Sequence, residues 1–217
     1  MKFNTKMLQA YFVAGSQDVP QGQTLPEQLS AAIAGGITAF QFREKGPRAL
    51  MGAEKVALGQ TLHELCRQAE IPFFVDDDVV LARTLRADGI HVGQKDQRIE
   101  QVINELPGLI IGYSCHTVAQ INHANELTVV DYVGSGPVYP TLSKADADPA
   151  LGISGLKQLL AVSKKPIVAI GGIDQNNLAN VAQTGVAGAA VISMLTRADD
   201  VQMTATMLRR TFTNFDA

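Results

Sequence analysis

FFVDDDVVLA, Phe73–Ala82, packs an apolar run, three consecutive carboxylates and a second apolar run into ten residues. Phe73, Phe74 and Val75 are apolar without alternation, the pattern of a strand buried on both faces. The aspartates end that run. Asp78, directly before Val79, Val80 and Leu81, has the acceptor side chain and the negative charge that favour a helix N-terminus. Buried strand, polar turn and helix in immediate succession make one βα unit, the repeating element of parallel-sheet folds. Adjacent carboxylates repel one another, so Asp76, Asp77 and Asp78 read as a solvated loop, a helix cap or a place for a cation, depending on where this unit sits.

The same unit recurs along the chain. LQAYFVAG (8–15), ITAFQFRE (37–44), GIHVG (89–93), LIIGYSCH (109–116), VVDYVGSG (129–136), PIVAIGG (166–172) and AAVISM (189–194) join PFFVDD (72–77) as eight strand candidates. Helical spacing fills the intervals. Leu178, Val181 and Ala182 mark a helix with Asp174 as its expected N-cap. Val201, Ala205, Leu208, Phe212 and Phe215 advance by fours and threes, which puts one apolar face on the last helix. Gly35-Gly36 and Gly185 are expected to close helices. Eight alternating units in 217 residues predict an α/β fold, a single (β/α)8 TIM barrel spanning residues 1–217. An open doubly wound sheet would show the same alternation without closing. No linker, repeat or low-complexity stretch argues for a second domain.

Composition narrows the function. Hydrophobic residues make up 46% of the chain, enough for a large core. The net charge of −3 and the absence of a Lys/Arg run give no nucleic-acid footprint. No uninterrupted apolar stretch reaches the roughly 18–20 residues of a membrane span. MKFNTKMLQAYFVAG begins basic and turns apolar as a signal peptide does, but Gln9 interrupts it and it reads as a strand. Two cysteines, Cys66 and Cys115, suit a reducing cytoplasm. The expectation is a cytoplasmic protein acting on small molecules, with no nucleic-acid or membrane partner. A homo-oligomer is compatible with the sequence.

In a (β/α)8 barrel the site lies at the C-terminal ends of the strands, and polar residues collect there. Gln41, Arg43 and Lys45 alternate along QFREK, so an extended chain points an amide, a guanidinium and an ammonium the same way. That set suits an anion with several oxygens; surface ion pairs with Glu44 would use the same residues. The third strand ends in the aspartates and the fourth in HVGQKD, closing with Asp96. Carboxylates from neighbouring strand ends could share a hard cation such as Mg²⁺, which keeps water and phosphate oxygens among its ligands, although Asp96 alone also reads as a helix N-cap. A metal–diphosphate complex reconciles the acidic and basic clusters. Gly171-Gly172 after the seventh strand and Ser193 at the end of the eighth occupy the usual phosphate position of such barrels. The glycine pair would also serve simple packing. Between the sixth strand and Gly152 runs the longest irregular piece, with Thr141, Ser143 and Lys144 placed to close over a phosphate or to lie in a solvated turn. Cys115 and His116 are neighbours on a strand and face opposite ways, which disfavours a nucleophile–base pair. His91 reads as a hydrogen-bonded barrel residue, and His63 and His123 as helix residues.

QFREK, the paired aspartates, ADGIHVGQ.D, IGYSCHT, DYVGSGPVYPT.SK, GGI and VIS together resemble the thiamine phosphate synthase family along nearly the whole chain. The resemblance implies a barrel enzyme, a transferase of thiamine biosynthesis. It would join a hydroxymethylpyrimidine diphosphate to a thiazole phosphate and release diphosphate with Mg²⁺ as cofactor, through a dissociative substitution. It further implies that Gln41, Phe42, Arg43, Glu44, Lys45, Lys55, Asp76, Ser114 and Lys144 bind the pyrimidine diphosphate. Among these Arg43, Lys45, Ser114 and Lys144 would assist catalysis. Thr141, Leu142, Ser143, Gly171, Gly172, Ile192 and Ser193 would bind the thiazole phosphate, and Asp77 and Asp96 would bind the metal. Two positions depart from the family pattern. Asp76 stands where an Asn is usual, replacing an amide that donates and accepts by a carboxylate that only accepts. Lys55 stands where an Arg is common, keeping charge but losing the planar fork. Two alternatives remain: a TenI-type thiazole tautomerase, which has no diphosphate to expel, and a non-catalytic barrel that binds thiazole phosphate.

Overall fold

A computed structural model describes residues 1–141 and 148–213. Eight parallel strands close into a barrel in chain order. They are β1 Ala10–Ala14, β2 Ala39–Phe42, β3 Phe73–Asp76, β4 Gly89–Val92, β5 Ile110–Ser114, β6 Tyr132–Ser135, β7 Ile167–Ile170 and β8 Gly188–Val191. β1 pairs with β8 from Ala10↔Ala189 to Phe12↔Val191, so the sheet is closed and the open alternative does not apply. Each strand lies within one of the eight runs read from the sequence, save that β8 begins one residue earlier. The surrounding helices are α1 Leu25–Ala34, α2 Gly52–Gln68, α3 Val79–Leu85, α4 Ile99–Glu105, α5 Val118–Glu126, α6 Gly152–Val162, α7 Leu178–Ala182, α8 Ser193–Thr196 and α9 Val201–Thr213. Among the described residues no helix is long and apolar enough to cross a membrane.

The strands are apolar on both parities because both faces are covered. Tyr11, Val13, Ala39, Phe74, Ile110, Tyr132, Val168 and Ala190 fill the barrel. Phe12, Phe40, Phe42, Phe73, Val75 and Ile90 point outward into the helix layer. There Phe12 meets Phe40 edge-on at 5.4 Å, and Phe73 adjoins both Phe40 and Phe42. Each fully buried Phe contributes about 1.5–3 kcal/mol relative to exposure.

Local chemistry sets the helix starts. Thr24 and Glu27 form a reciprocal capping box on α1, and Thr117 and Gln120 do the same on α5. Asp78 caps α3 by accepting from the Leu81 N–H at 2.9 Å. Leu178, Val181 and Ala182 are buried as their spacing predicts, but the N-cap position of α7 is Asn177 and not Asp174. The Asp174 carboxylate accepts instead from the Asn176 and Asn177 N–H groups, and Asn177 Oδ1 accepts from the Asp174 N–H. This local turn delays the helix. Asp96 does not cap α4, whose N-cap position is Arg98. Ser193 is the first residue of α8 rather than the last of β8. On α9, Ala205, Leu208 and Phe212 form the buried face; Phe215 lies outside the described residues.

A closed eight-stranded barrel has little spare room, and glycine decides where a large polar ring can enter. His91 on β4 lies against Gly112 on β5 and Gly134 on β6. A Cβ at Gly134 would stand 2.8 Å from His91 Cε1. Gly134→Ala is therefore expected to lower stability by about 1–3 kcal/mol, the usual cost of overpacking a filled interior. Urea unfolding would check this, and an unchanged midpoint would show that His91 moves aside freely.

Candidate active site

Strand parity carries the polar residues to one end of the barrel. On β2 the inward positions after Ala39 are Gln41 and, just past the strand, Arg43 and Lys45. On β3 it is Asp76, on β4 His91 and on β5 Ser114; all six line one open pocket at the C-terminal ends of the strands. Thr141, Gly171, Gly172, Ile192 and Ser193 line it from the far side, after β6, β7 and β8.

The three aspartates separate because the chain turns sharply between them. Asp77 has φ +49°, in the left-handed region that Asp tolerates better than most residues. Its N–H donates to the His91 carbonyl at 2.8 Å, which ties the turn to β4. Asp76 thus faces the pocket, Asp77 faces the end of β4, and Asp78 turns back to cap α3.

Lys45 sits among the carboxylates. Its ammonium is 3.3 Å from Asp76 and 3.6 Å from Asp96, and it is in direct ion-pair contact with Asp77. Arg43 Nε lies 3.5 Å from the same Asp76 oxygen. Three carboxylates therefore face two cations. Burial, the neighbouring Asp76 charge and the facing Asp96 carboxyl push the Asp77 carboxyl up to about 7 despite Lys45. Burial alone would lower the Lys45 ammonium, but Asp76, Asp77 and Asp96 together hold it well above the ordinary lysine range. Asp96 is oriented by the Gly93 N–H, which donates to its Oδ2 at 2.8 Å.

No cluster of three or more His, Cys, Asp or Glu side chains suited to a metal occurs among the described residues. The facing Asp77 and Asp96 carboxyls still suit a hard divalent ion that draws its other ligands from water and phosphate. The surplus negative charge at this spot is what such an ion would relieve.

On the opposite wall, Gly171 and Gly172 both have positive φ, +93° and +65°. A Cβ on Gly172 would lie 2.6 Å from the Tyr139 and Pro140 carbonyl oxygens, so the glycine pair lets the β7 loop lie flat against the segment leaving β6. Val138 and Tyr139 N–H groups donate to the Ile170 and Gly171 carbonyls at 2.9 and 3.0 Å, which fixes that contact. Both the packing role and the pocket position read from the sequence are present.

Several expected site residues stand apart from the pocket lining. Phe42 is buried in the helix layer. Glu44 is 6% exposed and accepts from the Ser16 hydroxyl and the Ser16 and Leu50 N–H groups, which braces the β1 and β2 loops. Lys55 donates to Asp78 at 2.9 Å. Burial would raise the Asp78 carboxyl, but this lysine and the Leu81 N–H bring it below the usual range. Asp77 reaches the pocket through its contact with Lys45. Leu142, Ser143 and Lys144 lie outside the described residues.

The pocket also contains residues the sequence reading did not select. Tyr11 forms part of the floor. His116 lines the pocket, contacts the Gly136 carbonyl through Nδ1, and has Nε2 3.4 Å from Asp148. Parity was the available signal, because His116 lies two residues beyond Ser114. Cys115, between them, is buried in the helix layer, and burial pushes its thiol up to about 12. The opposite-face reading of Cys115 and His116 holds.

The Asp77 shift has a consequence for stability. Its folded-state carboxyl titrates near 7 against an ordinary 3.8, so this group's stabilising contribution is complete below pH 4 and is lost as pH rises toward 7. In metal-free protein, Asp77→Asn is expected to flatten the fall in denaturation midpoint across that window. A wild-type midpoint that rises through the same window in proportion to Asp77 ionisation would contradict the assignment.

Residues 10–195 match the family described as thiamine monophosphate synthase. The chain is 51% identical over 212 residues to a thiamine-phosphate synthase of Levilactobacillus brevis, covering 97% of each. It is 53% identical over 205 residues to one of Lactiplantibacillus plantarum, covering 94% of each. Among solved structures it is similar to a thiamine phosphate pyrophosphorylase from Pyrococcus furiosus, with a TM-score of 0.87, 34% identity, and coverage of 99% of this chain and 100% of that one.

Proposed function

The chain belongs to the thiamine monophosphate synthase family, and from that premise we propose that it couples a hydroxymethylpyrimidine diphosphate to a thiazole phosphate. The products are thiamine phosphate and diphosphate. The observation that carries this reading is the convergence of Arg43 and Lys45 with three carboxylates on one wall of a pocket whose other wall holds Gly171, Gly172 and Ser193. One wall suits a diphosphate with a hard cation and the other a phosphate monoester.

The chemistry asks for little beyond charge control. The bond between the pyrimidine methylene carbon and the diphosphate oxygen breaks, and the leaving oxygen keeps the electron pair. The methylene carbon becomes cationic, and the thiazole nitrogen supplies the pair for the new C–N bond. Arg43 offers a planar fork to the departing oxygens and Lys45 a point charge. Both are pre-placed in a partly water-excluded mouth, where such donors stabilise developing charge without reorganising. Asp77 and Asp96 would hold Mg²⁺, which supplies further neutralisation of the diphosphate when bound. Asp76 offers only acceptors, which suits the exocyclic amino group of the pyrimidine. Thr141 with Gly171, Gly172, Ile192 and Ser193 would take the thiazole phosphate; Leu142, Ser143 and Lys144 are assigned to the two phosphorylated groups on the family resemblance.

Purified protein given both precursors and Mg²⁺ is expected to yield thiamine phosphate and equimolar diphosphate. A TenI-type tautomerase would convert its thiazole without diphosphate release, and a non-catalytic barrel would bind without turnover. Asp77→Ala is expected to remove most Mg²⁺-dependent turnover while leaving the protein folded by circular dichroism. Asp76→Asn, which withdraws one negative charge from Arg43 and Lys45, is expected to lower KM for the pyrimidine diphosphate by a factor of about 3–10, the equivalent of roughly 1 kcal/mol for a partly exposed ion pair. A raised KM would instead assign Asp76 chiefly to the amino group.

A further inference from the structure

Five side chains form one hydrogen-bonded path across the pocket floor, from β2 to β5 by way of β1, β6 and β4. Gln41 Nε2 donates to the Tyr11 hydroxyl at 3.1 Å, and the Tyr11 and Tyr132 hydroxyls lie 3.0 Å apart. The Tyr132 hydroxyl is 3.1 Å from His91 Nδ1, and His91 Nε2 is 2.9 Å from Ser114 Oγ. Both phenols are buried, and burial raises both far above the ordinary tyrosine range, so both keep their protons. Their rings cannot turn away, since Tyr132 stacks on Phe3 and meets Phe74 edge-on, and Tyr11 packs on Phe74.

Counting protons gives the path a direction. Each hydroxyl has one proton to donate, and a neutral imidazole has one donor and one acceptor nitrogen. Gln41 donates into Tyr11; if Tyr132 donated there as well, the buried Tyr11 proton would have no acceptor on the path, so Tyr11 donates to Tyr132 and Tyr132 to His91 Nδ1. An imidazole that accepts at Nδ1 carries its proton on Nε2, and that N–H donates to Ser114 Oγ. The Ser114 proton is then left for the pocket. The reverse polarity would have the Ser114 hydroxyl donate to His91, and its lone pairs would face, and repel, an anionic oxygen.

We propose that Tyr132 and His91 are positioning residues for the coupling reaction, holding His91 as the Nε2–H tautomer and thereby making Ser114 a hydrogen-bond donor toward the phosphate oxygens of the pyrimidine diphosphate. The inference rests on the preceding reading of the pocket for the identity of the acceptor. Its first half, the tautomer, is independent of any ligand.

The test uses the full-length protein with ¹⁵N-labelled histidine in mildly alkaline buffer, His91 being assigned by the signal lost in His91→Gln. The ligand-free wild type is expected to show His91 as Nε2–H. Tyr132→Phe keeps the ring and removes the hydroxyl, so His91 is expected to become a tautomer mixture, and kcat/KM for the pyrimidine diphosphate to fall about fivefold to tenfold, as for one lost hydrogen bond. KM for the thiazole phosphate should stay unchanged. Tyr11→Phe leaves the buried Tyr132 proton with His91 Nδ1 as its remaining acceptor on the path, so the His91 tautomer is expected to persist. A merely structural role would not separate the two phenols in this way. His91 found as Nδ1–H in the wild type, or unmoved by Tyr132→Phe, overturns the proposal. If Tyr132→Phe does not fold, the wild-type tautomer alone decides. Absence of wild-type turnover would refute the functional reading and leave the tautomer result standing.

Discussion

Pairing of Ala10–Phe12 with Ala189–Val191 closes the sheet, and closure assigns every strand residue an inside or an outside. Side chains alternate along a strand, so once one residue faces inward its second neighbours do too. The strands are only four or five residues long. One or two inward positions per strand fill the core, and the next projects from the C-terminal end. Tyr11, Phe74 and Tyr132 occupy the core positions, while Arg43, Asp76, His91 and Ser114 come from the upper ones. The pocket is the open end of the same parity that builds the core.

Electrostatics at that end are unbalanced by construction. Lys45 and Arg43 meet three carboxylates, and burial, helped by the Asp76 charge and the Asp96 carboxyl, pushes the Asp77 carboxyl up to about 7. A purely structural ion-pair cluster would gain from equal numbers of charges, because a buried surplus charge is costly. The Mg²⁺ proposed for Asp77 and Asp96 would offset that surplus. Glu44 and Lys55 are kept out of this balance, Glu44 by bracing two loops and Lys55 by pairing with Asp78.

Much of this was legible beforehand. The eight runs, the shared face of Gln41, Arg43 and Lys45, the cap at Asp78 and the opposed faces of Cys115 and His116 all depend on local periodicity, which sequence displays directly. The N-cap at Asn177 is not legible in the sequence, because Asp174 and Asn177 bond each other's backbone, a local contest that composition does not rank. The pocket positions of His116 and Tyr11 are not legible in neighbouring residues, because they depend on what these side chains meet across the barrel. The Lys55–Asp78 pair joins residues 23 apart in sequence and depends on how α2 leans over β3.

By itself the sequence determined the order of strands and helices, the polarity of the strand ends and the family resemblance, because each is written in neighbouring residues and their spacing. The tertiary structure alone decided that FFVDDDVVLA splits its aspartates among a pocket wall, a facing carboxyl pair and a helix cap. It also decided that Gln41, Tyr11, Tyr132, His91 and Ser114 form one path. The reason is physical: a left-handed turn at Asp77 and contacts between strands distant in the chain exist only once the barrel has closed.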